Sequence, residues 1–483
     1  MAKFKPITIG NWQTGIADSP HDGFGDMRNI DFESIPGIAQ IKRKLEKKSS
    51  TTVTNLPKWS AIDQANKVYV LDQDHKLYIS TDSGASWSLV THSSASTGTG
   101  NGLVIWKDAL FEIGNAAIDV YYPLSGSPTW TNAWKSITSE TSWHPAMVAQ
   151  DDTVYIGCGR DLASLQEVAG QNFDPTNAAT YTFQSSVLDL PEDFKIKSLE
   201  QNDIWLNIGT WKGTNIYDFN IGDIFVWDLT TQPSSFQSQI TVRENGCNSM
   251  FNKDNDVYVF AGIDGRVYGV NGNYLELLRT LPFNLQSGSW VQVYPDAVEN
   301  FDGRLIFGVS AGSGTLTNGV FGLGTRQGEI KLSLSHEYTI STGTNESVSI
   351  GTIKQINANQ IIVGWKDGSN YGVDLLNAST VMGSYGAFID SQFYDLASNR
   401  DTGVVSEIEI RLADDLLTGE GIRIKYRTAL DDAFTTVGTF DFATDGAVNS
   451  KIFGVSFGAE KLQLRIEMTG SSTSPKLKQV IVR

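Results

Sequence analysis

Cysteine is nearly absent. Cys158 and Cys247 stand 89 positions apart in 483 residues, which excludes a disulfide framework and the paired spacing of a zinc site. Both are expected as small buried side chains. Histidine is scarce, with five at positions 21, 75, 92, 144 and 336, and neither an HExxH spacing nor a pair suited to a metal. The apolar runs, such as residues 68–71 and 103–106, are too short to span a bilayer. The opening MAKFKPITIG lacks the apolar stretch of a secretory signal. A soluble protein made in a cytosol, without membrane insertion, is the expectation. Long helical periods are missing too, and the best helix candidate is a short piece over residues 162–168. There is no G-x-S-x-G elbow and no phosphate-binding loop. With 54 carboxylates, a glycosidase pair can be drawn almost anywhere, so it signals nothing. The residues argue for no enzyme, no metal and no cofactor.

Positive charge is the minority sign, and the imbalance is local. The chain carries a net −17. Residues 1–48 hold 8 basic and 6 acidic side chains, five of the basic ones within the KRKLEKK run at 42–48. Residues 386–483 are close to balanced, with 11 basic and 14 acidic, which leaves −16 on residues 49–385. So acidic a body does not wrap DNA, because phosphate neutralisation needs Lys and Arg. It could line a passage along which a polyanion slides without sticking.

Glycine is abundant, 46 against 13 prolines, and pairs such as Asp264-Gly265, Asp302-Gly303, Asp367-Gly368 and Asp445-Gly446 mark tight turns. Between them run short β-branched and aromatic segments, and these repeat. A polar turn residue followed by an apolar strand recurs as NKVYV, DALFE, DTVYI, NDIWL, NDVYV, DGRLIF and NQIIV. Aligning Val68, Leu110, Val154, Ile204, Val257, Leu305 and Ile361 gives spacings of 42, 44, 50, 53, 48 and 56. Several units answer with a second strand: DHKLYIS, DGRVYGV and SNYGVDL. A degenerate repeat of this length built from short strands predicts an all-β chain whose residues 49–385 form a β-propeller of about seven blades. A single blade cannot bury both faces, so the blades must stack until the ring closes.

One local pattern is sharper. Ser80, Asp82, Gly84 and Trp87 fit S-x-D-x-G-x-x-W, which resembles the Asp-box of sialidase-like propellers. The carboxylate is suited to accepting N–H bonds inside a tight hairpin, the glycine to a positive φ, and the indole to packing between strands. In those families the box is structural, and the Phe-Arg-Ile-Pro stretch of a sialidase is missing here. Asp72/Asp74 and Asp254/Asp256 match fragments of a calcium loop but lack its glycine and late glutamate, so solvated turn carboxylates are expected.

Residues 386–483 alternate differently. Ile408, Ile410 and Leu412 oppose Glu407, Glu409 and Arg411; Ile422 and Ile424 oppose Arg423 and Lys425; Leu462, Leu464, Ile466 and Met468 alternate with Gln463, Arg465 and Glu467. Period-two alternation predicts a C-terminal β-sandwich. Residues 1–48 show no strand pattern of their own. Phe4, Trp12, Phe24, Phe32 and Ile41 are spaced as an N-terminal arm lying on the propeller, on a neighbouring subunit, or on both.

The stretch DMRNIDFESIPGIA at 26–39, followed by Lys42-Arg43-Lys44, resembles the opening of tail proteins of short-tailed bacteriophages, and the tail nozzle (tail tubular or packaged-DNA stabilisation) family in particular. The closing strands EIEIRL, IRIKYR, LQLRIEM and PKLKQVIVR resemble the terminal sandwich of tail and baseplate proteins. The resemblance implies a structural virion protein assembled in the bacterial cytoplasm. Its copies would form a ring, commonly of six, that meets the head–tail adaptor and other tail proteins, extends the DNA channel and helps retain and release the genome. Asn29, Ile30, Asp31, Pro36 and Gly37 would belong to an assembly arm. Six bodies of this charge would place on the order of −100 around a channel and lower sliding friction. The competing expectation is a carbohydrate-binding or carbohydrate-cleaving propeller acting as a receptor-binding tail protein, with some of the 12 Trp as sugar platforms.

Overall fold

The computed structural model describes residues 5–16, 24–48, 53–92, 98–212, 221–229, 235–281, 290–312, 318–324, 333–342, 348–396 and 402–483. Phe4 and His21 lie outside them. The chain is all-β; among the described residues the helices are one 3-10 turn, Trp12–Thr14, and one short α-helix, Phe442–Asp445. The stretch expected as a helix is a strand instead, Asp161–Glu167. Its spacing looked helical because Leu162, Ala163, Ser164 and Leu165 are all buried, and a central strand covered on both faces loses its period of two.

From residue 57 the strands fall into seven successive groups of antiparallel neighbours. The first is Pro57–Ile62, Val68–Asp72, Leu77–Ser80 and Ser88–Leu89, and the second Gly102–Trp106, Ala109–Ile113, Ala117–Tyr122 and Thr129–Ser136. The third is Ala146–Val148, Val154–Cys158, Asp161–Glu167 and Tyr181–Asp189; the fourth, Phe194–Asn202, Trp205–Lys212, Ile221–Trp227 and Ser238–Asn245. The fifth is Cys247–Lys253, Asp256–Ala261, Arg266–Asn271 and Tyr274–Thr280; the sixth, Val291–Phe301, Arg304–Ala311, Gly319–Leu323 and Leu334–Tyr338. The seventh is Val348–Asn357, Gln360–Asp367 and Asn370–Val381, completed by Arg43–Lys47 from the beginning of the chain. The aligned repeat residues sit on the second strand of each group, or in the turn just before it at Ile204. Asp302 and Gly303 show the turn chemistry, with φ of 56° and 79° in the hairpin between Phe301 and Arg304.

The first strands touch one another in order, and that of the seventh group returns to that of the first. The returning seam is tight. A Cβ on Gly351 would lie 2.1 Å from the Pro57 carbonyl oxygen, so only glycine fits between those two inner strands. Between neighbouring groups lie separate apolar clusters, for example Val104, Phe111, Ile118, Val154, Ile156 and Leu165 between the second and third. Cys158 and Cys247 are buried free thiols in these layers.

Two further sheets follow. One orders Ile7–Ile9, Leu477–Val482, Gly403–Leu412 and Ser450–Ala459; the other runs through Thr435–Asp441, Gly421–Arg427, Lys461–Thr469 and Ala387–Asp390. Ile408, Ile410, Ile422, Ile424, Leu464 and Ile466 are fully buried in one shared cluster. The described residues among the first 48 thread through all of this as short strands, which the sequence did not signal. Ile7–Ile9 pairs with the chain's last strand, Asp26–Arg28 lies between the sixth group and Ala387–Asp390, and Arg43–Lys47 closes the seventh group.

Candidate functional site

The inner strands bring chemistry-bearing side chains from distant parts of the sequence to the centre of the ring. At the end where these strands begin, Lys58 of the first group and Lys197 of the fourth face one indole. Their Nζ atoms lie 3.9 Å and 5.3 Å from the Trp143 ring centre. Trp143 precedes the third group, and its ring stands 5.3 Å from Tyr294 of the sixth. Four parts of the ring therefore meet at its axis and fill it. Lys58 donates to the Ser142 carbonyl and Lys197 to Asn248 Oδ1 at 2.6 Å. Burial, reinforced by the neighbouring ammonium of Lys197, pushes Lys58 down to about 7. Burial brings Lys197 down to about 8.

Further along the same axis sits an acidic belt. Asp296 Oδ2 accepts from Ser60 N at 2.8 Å, Ser60 Oγ at 3.0 Å and Thr352 Oγ1 at 2.5 Å, tying the sixth, first and seventh groups together. Lys354 bonds Glu299 at 3.0 Å. Burial raises Asp296 to about 7 and Glu200 to about 8, although water reaches part of each side chain. Acids and bases poised near neutrality in one enclosure form the strongest candidate site in the molecule. Single-chain reasoning missed it because Lys58, Trp143, Lys197, Tyr294 and Asp296 share no local motif.

Ser80, Asp82, Gly84 and Trp87 lie together in one hairpin turn. Asp82 Oδ1 accepts from Ser80 Oγ and Ser86 N, both at 2.8 Å; Ser80 Oγ accepts from Gly84 N at 2.8 Å; Trp87 Nε1 donates to the Gly84 carbonyl at 3.1 Å. Gly84 has φ +85°. The indole of Trp87 packs with Val68 and Tyr78 of the first group and Ile362 and Val373 of the seventh, so the box braces the returning seam.

The arm residues divide. Asn29 is buried, donates to Thr339 Oγ1 and the Gly386 carbonyl, and accepts from Thr339 N at 2.9 Å. Ile30 is fully buried. Despite the opposing effect of burial, Lys42 and N–H groups from Ser34 and Glu33 hold Asp31 far below the usual carboxylate range. Pro36 and Gly37 project at an exposed tip. Behind the hairpin, Arg304 contacts Glu33 and Glu337, and Glu337 also contacts Lys42, a buried network of two cations and two anions.

Asp72 corrects the expectation of a solvated turn carboxylate. It is fully buried and accepts from Asp74 N, Lys76 N and Tyr78 Oη. Asp63 does the same for Ala65 N, Lys67 N and Tyr69 Oη, so acidic residues here fasten turns from within. His75 pairs with Glu112 at 3.0 Å and His92 with Asp119 at 3.4 Å between the first two groups. No group of three or more His, Cys, Asp or Glu suited to a metal occurs among the described residues.

No family model matches the chain, and no curated protein does. Among solved structures it is similar to the extracellular domain of a one-component system from B. thetaiotaomicron, with 14% identity and a TM-score of 0.46 over 77% of this chain and 43% of that one. The chain thus spans less than half the length of that neighbour. It is also similar to the Swd1 β-propeller domain of Myceliophteria thermophila, with 9% identity and a TM-score of 0.43 over 69% of this chain and 99% of that one. A third is an exo-β-1,3-galactanase from Phanerochaete chrysosporium, with 11% identity and a TM-score of 0.32 over 92% and 100% of the two chains.

Proposed function

We propose that the chain is a non-catalytic structural protein of a bacteriophage tail: an arm (1–48), a seven-bladed β-propeller (49–385) and a C-terminal β-sandwich (386–483), several copies of which form a ring beneath the head–tail adaptor. The observation that carries this reading is the use made of the first 48 residues. They tie the beginning of the chain to its end, and both to the sixth and seventh blades, through strands and the buried Arg304 network. A chain clamped in this way is suited to transmitting load as one rigid block. The same threading commits Asn29 and Ile30 to their own chain. The contact to the next copy therefore falls to the exposed tip around Ile35, Pro36 and Gly37.

In this reading the DNA passes between copies and not along the propeller's own axis, which Trp143, Tyr294, Lys58 and Lys197 occupy. The acidic bodies face that passage and keep phosphates from adhering. Mass photometry of the purified chain, alone and with the adaptor, tests the assembly. Rings that dissociate on Ile35→Asp are expected. A chain that stays monomeric at every concentration and ignores the adaptor defeats the reading.

A further inference from the structure

We propose that the cleft between the fourth and fifth strand groups binds a neutral saccharide. The cleft encloses about 420 Å³ beside the turn that joins Phe194–Asn202 to Trp205–Lys212. Its floor is apolar, with Val257 and Val270 among the contributors, and its walls carry the amides of Asn207, Gln237 and Asn273. Among the described residues, no charged side chain lines it. Trp205 stands at the rim, 38% exposed, with no aromatic partner among the described residues. Asn202 Oδ1, in the same wall, is buried without a donor.

Each property selects against another ligand class. A nucleic acid or phosphorylated ligand needs Lys or Arg, and the lining has neither. An acidic peptide would meet a body at net −17 with no cation among the described lining residues to receive it. A purely apolar ligand would leave the buried Asn202 Oδ1 without a donor and cover the exposed Asn273 carboxamide, at a desolvation cost. A sugar ring satisfies both halves. Its C–H face stacks on the indole and covers the valines, while its hydroxyls both donate to and accept from carboxamides. The inference stands apart from the ring reading, because the cleft lies within one chain and uses no residue of the arm.

The experiment is calorimetric titration of the full chain with neutral β-1,4-gluco-, β-1,3-gluco-, α-1,4-gluco- and β-1,4-galacto-oligosaccharides of about three to six units, long enough to fill the cleft. At least one series is expected to bind. Trp205→Ala should weaken it roughly tenfold or more, Trp205→Phe should retain part of the affinity, and Asn273→Ala should fall between. Both positions are exposed, so unfolding is not expected, and an unchanged melting temperature checks this. The proposal is overturned if none of the four series binds, or if Trp205→Ala binds as the wild type does.

Discussion

Two sets of buried charges in this molecule look alike in the sequence and differ in kind. The network of Glu33, Lys42, Arg304 and Glu337 is balanced, two against two, with Arg304 also donating to the Gly322 and Ser333 carbonyls at 2.8 and 2.7 Å. The axial set is segregated. Lys58 and Lys197 share one indole at one end, and Asp296, Glu200 and Glu299 gather further along with Lys354 as their nearby cation. Where opposite charges are matched in contact, as in the first set, they join distant parts of the chain and make a clamp. At Lys58, Lys197, Asp296 and Glu200 of the second set, burial instead drags the protonation equilibria toward neutrality. The first arrangement holds the beginning of the chain to the sixth strand group, whereas the second can respond to conditions.

The largest effect expected follows from breaking the balance. Arg304→Met leaves Glu33 and Glu337 sharing one lysine in the protein interior. Such a loss typically costs about 3–5 kcal/mol. Urea denaturation should show it as a lower midpoint. Replacing all four members together with uncharged residues of similar size should recover much of the loss, because the cost lies in the orphaned charge. If Arg304→Met melts like the wild type, the network is not the clamp described here.

Next come the axial groups, which should respond to pH in opposite senses. The folded pKa of Lys58 lies below its unfolded value, so the folded state releases a proton first as pH rises. Its unfavourable burial is therefore fully present below about 7 and is relieved between about 7 and 10.5. Relative to Lys58→Met, the wild type should gain stability over that window, on the order of 2–4 kcal/mol. Asp296 behaves inversely. Its folded pKa is raised from 3.8 to about 7, so the folded state holds its proton longer and the wild type should lose stability relative to Asp296→Asn across that interval. The expected difference is smaller, on the order of 1–3 kcal/mol, because water reaches the side chain. Parallel pH series of denaturation midpoints measure both. Two flat difference curves would mean that the axial set is as inert as the clamp.

How much of this could be read from the residues depends on the range of the interaction. The second strand of each group was legible because turn, strand and hairpin partner all lie within a dozen residues. Val68 pairs with Ser80, and Val154 with Leu165. The alternation in Gly403–Leu412 and Lys461–Thr469 was legible for the same reason, since one face meets an apolar core and the other carries polar side chains, although Glu409, Gln463 and Glu467 on that second face are themselves buried. The arm's strands were not, because Ile7 finds its partner at Val482 and Leu45 at Leu376, and a two-to-five-residue strand with a distant mate carries no local period. The candidate site was the least visible part. Lys58 and Lys197 look like surface lysines until the ring closes and sets them against Trp143.

The smallest effect belongs to the most legible motif, and it sharpens the contrast between a charge that a turn uses locally and one that the interior must accommodate. Asp82 is exposed, and hydrogen bonds from Ser86 and Ser80 depress its pKa. Its contribution is therefore present above the unfolded value of 3.8 and fades as pH falls through the folded one. Asp82→Ala removes bonds that water largely replaces, so a loss of about 1 kcal/mol is expected, far less than at Arg304. Its location still gives it a distinct signature. Gly84 and Trp87 press on Ile362 of the seventh strand group. Hydrogen exchange should therefore quicken at the Gly84 and Ser86 amides and along Gln360–Asp367 while the fourth and fifth strand groups stay protected. Exchange that rises evenly around the ring would show that the box stabilises the chain as a whole and does not guard its closing seam.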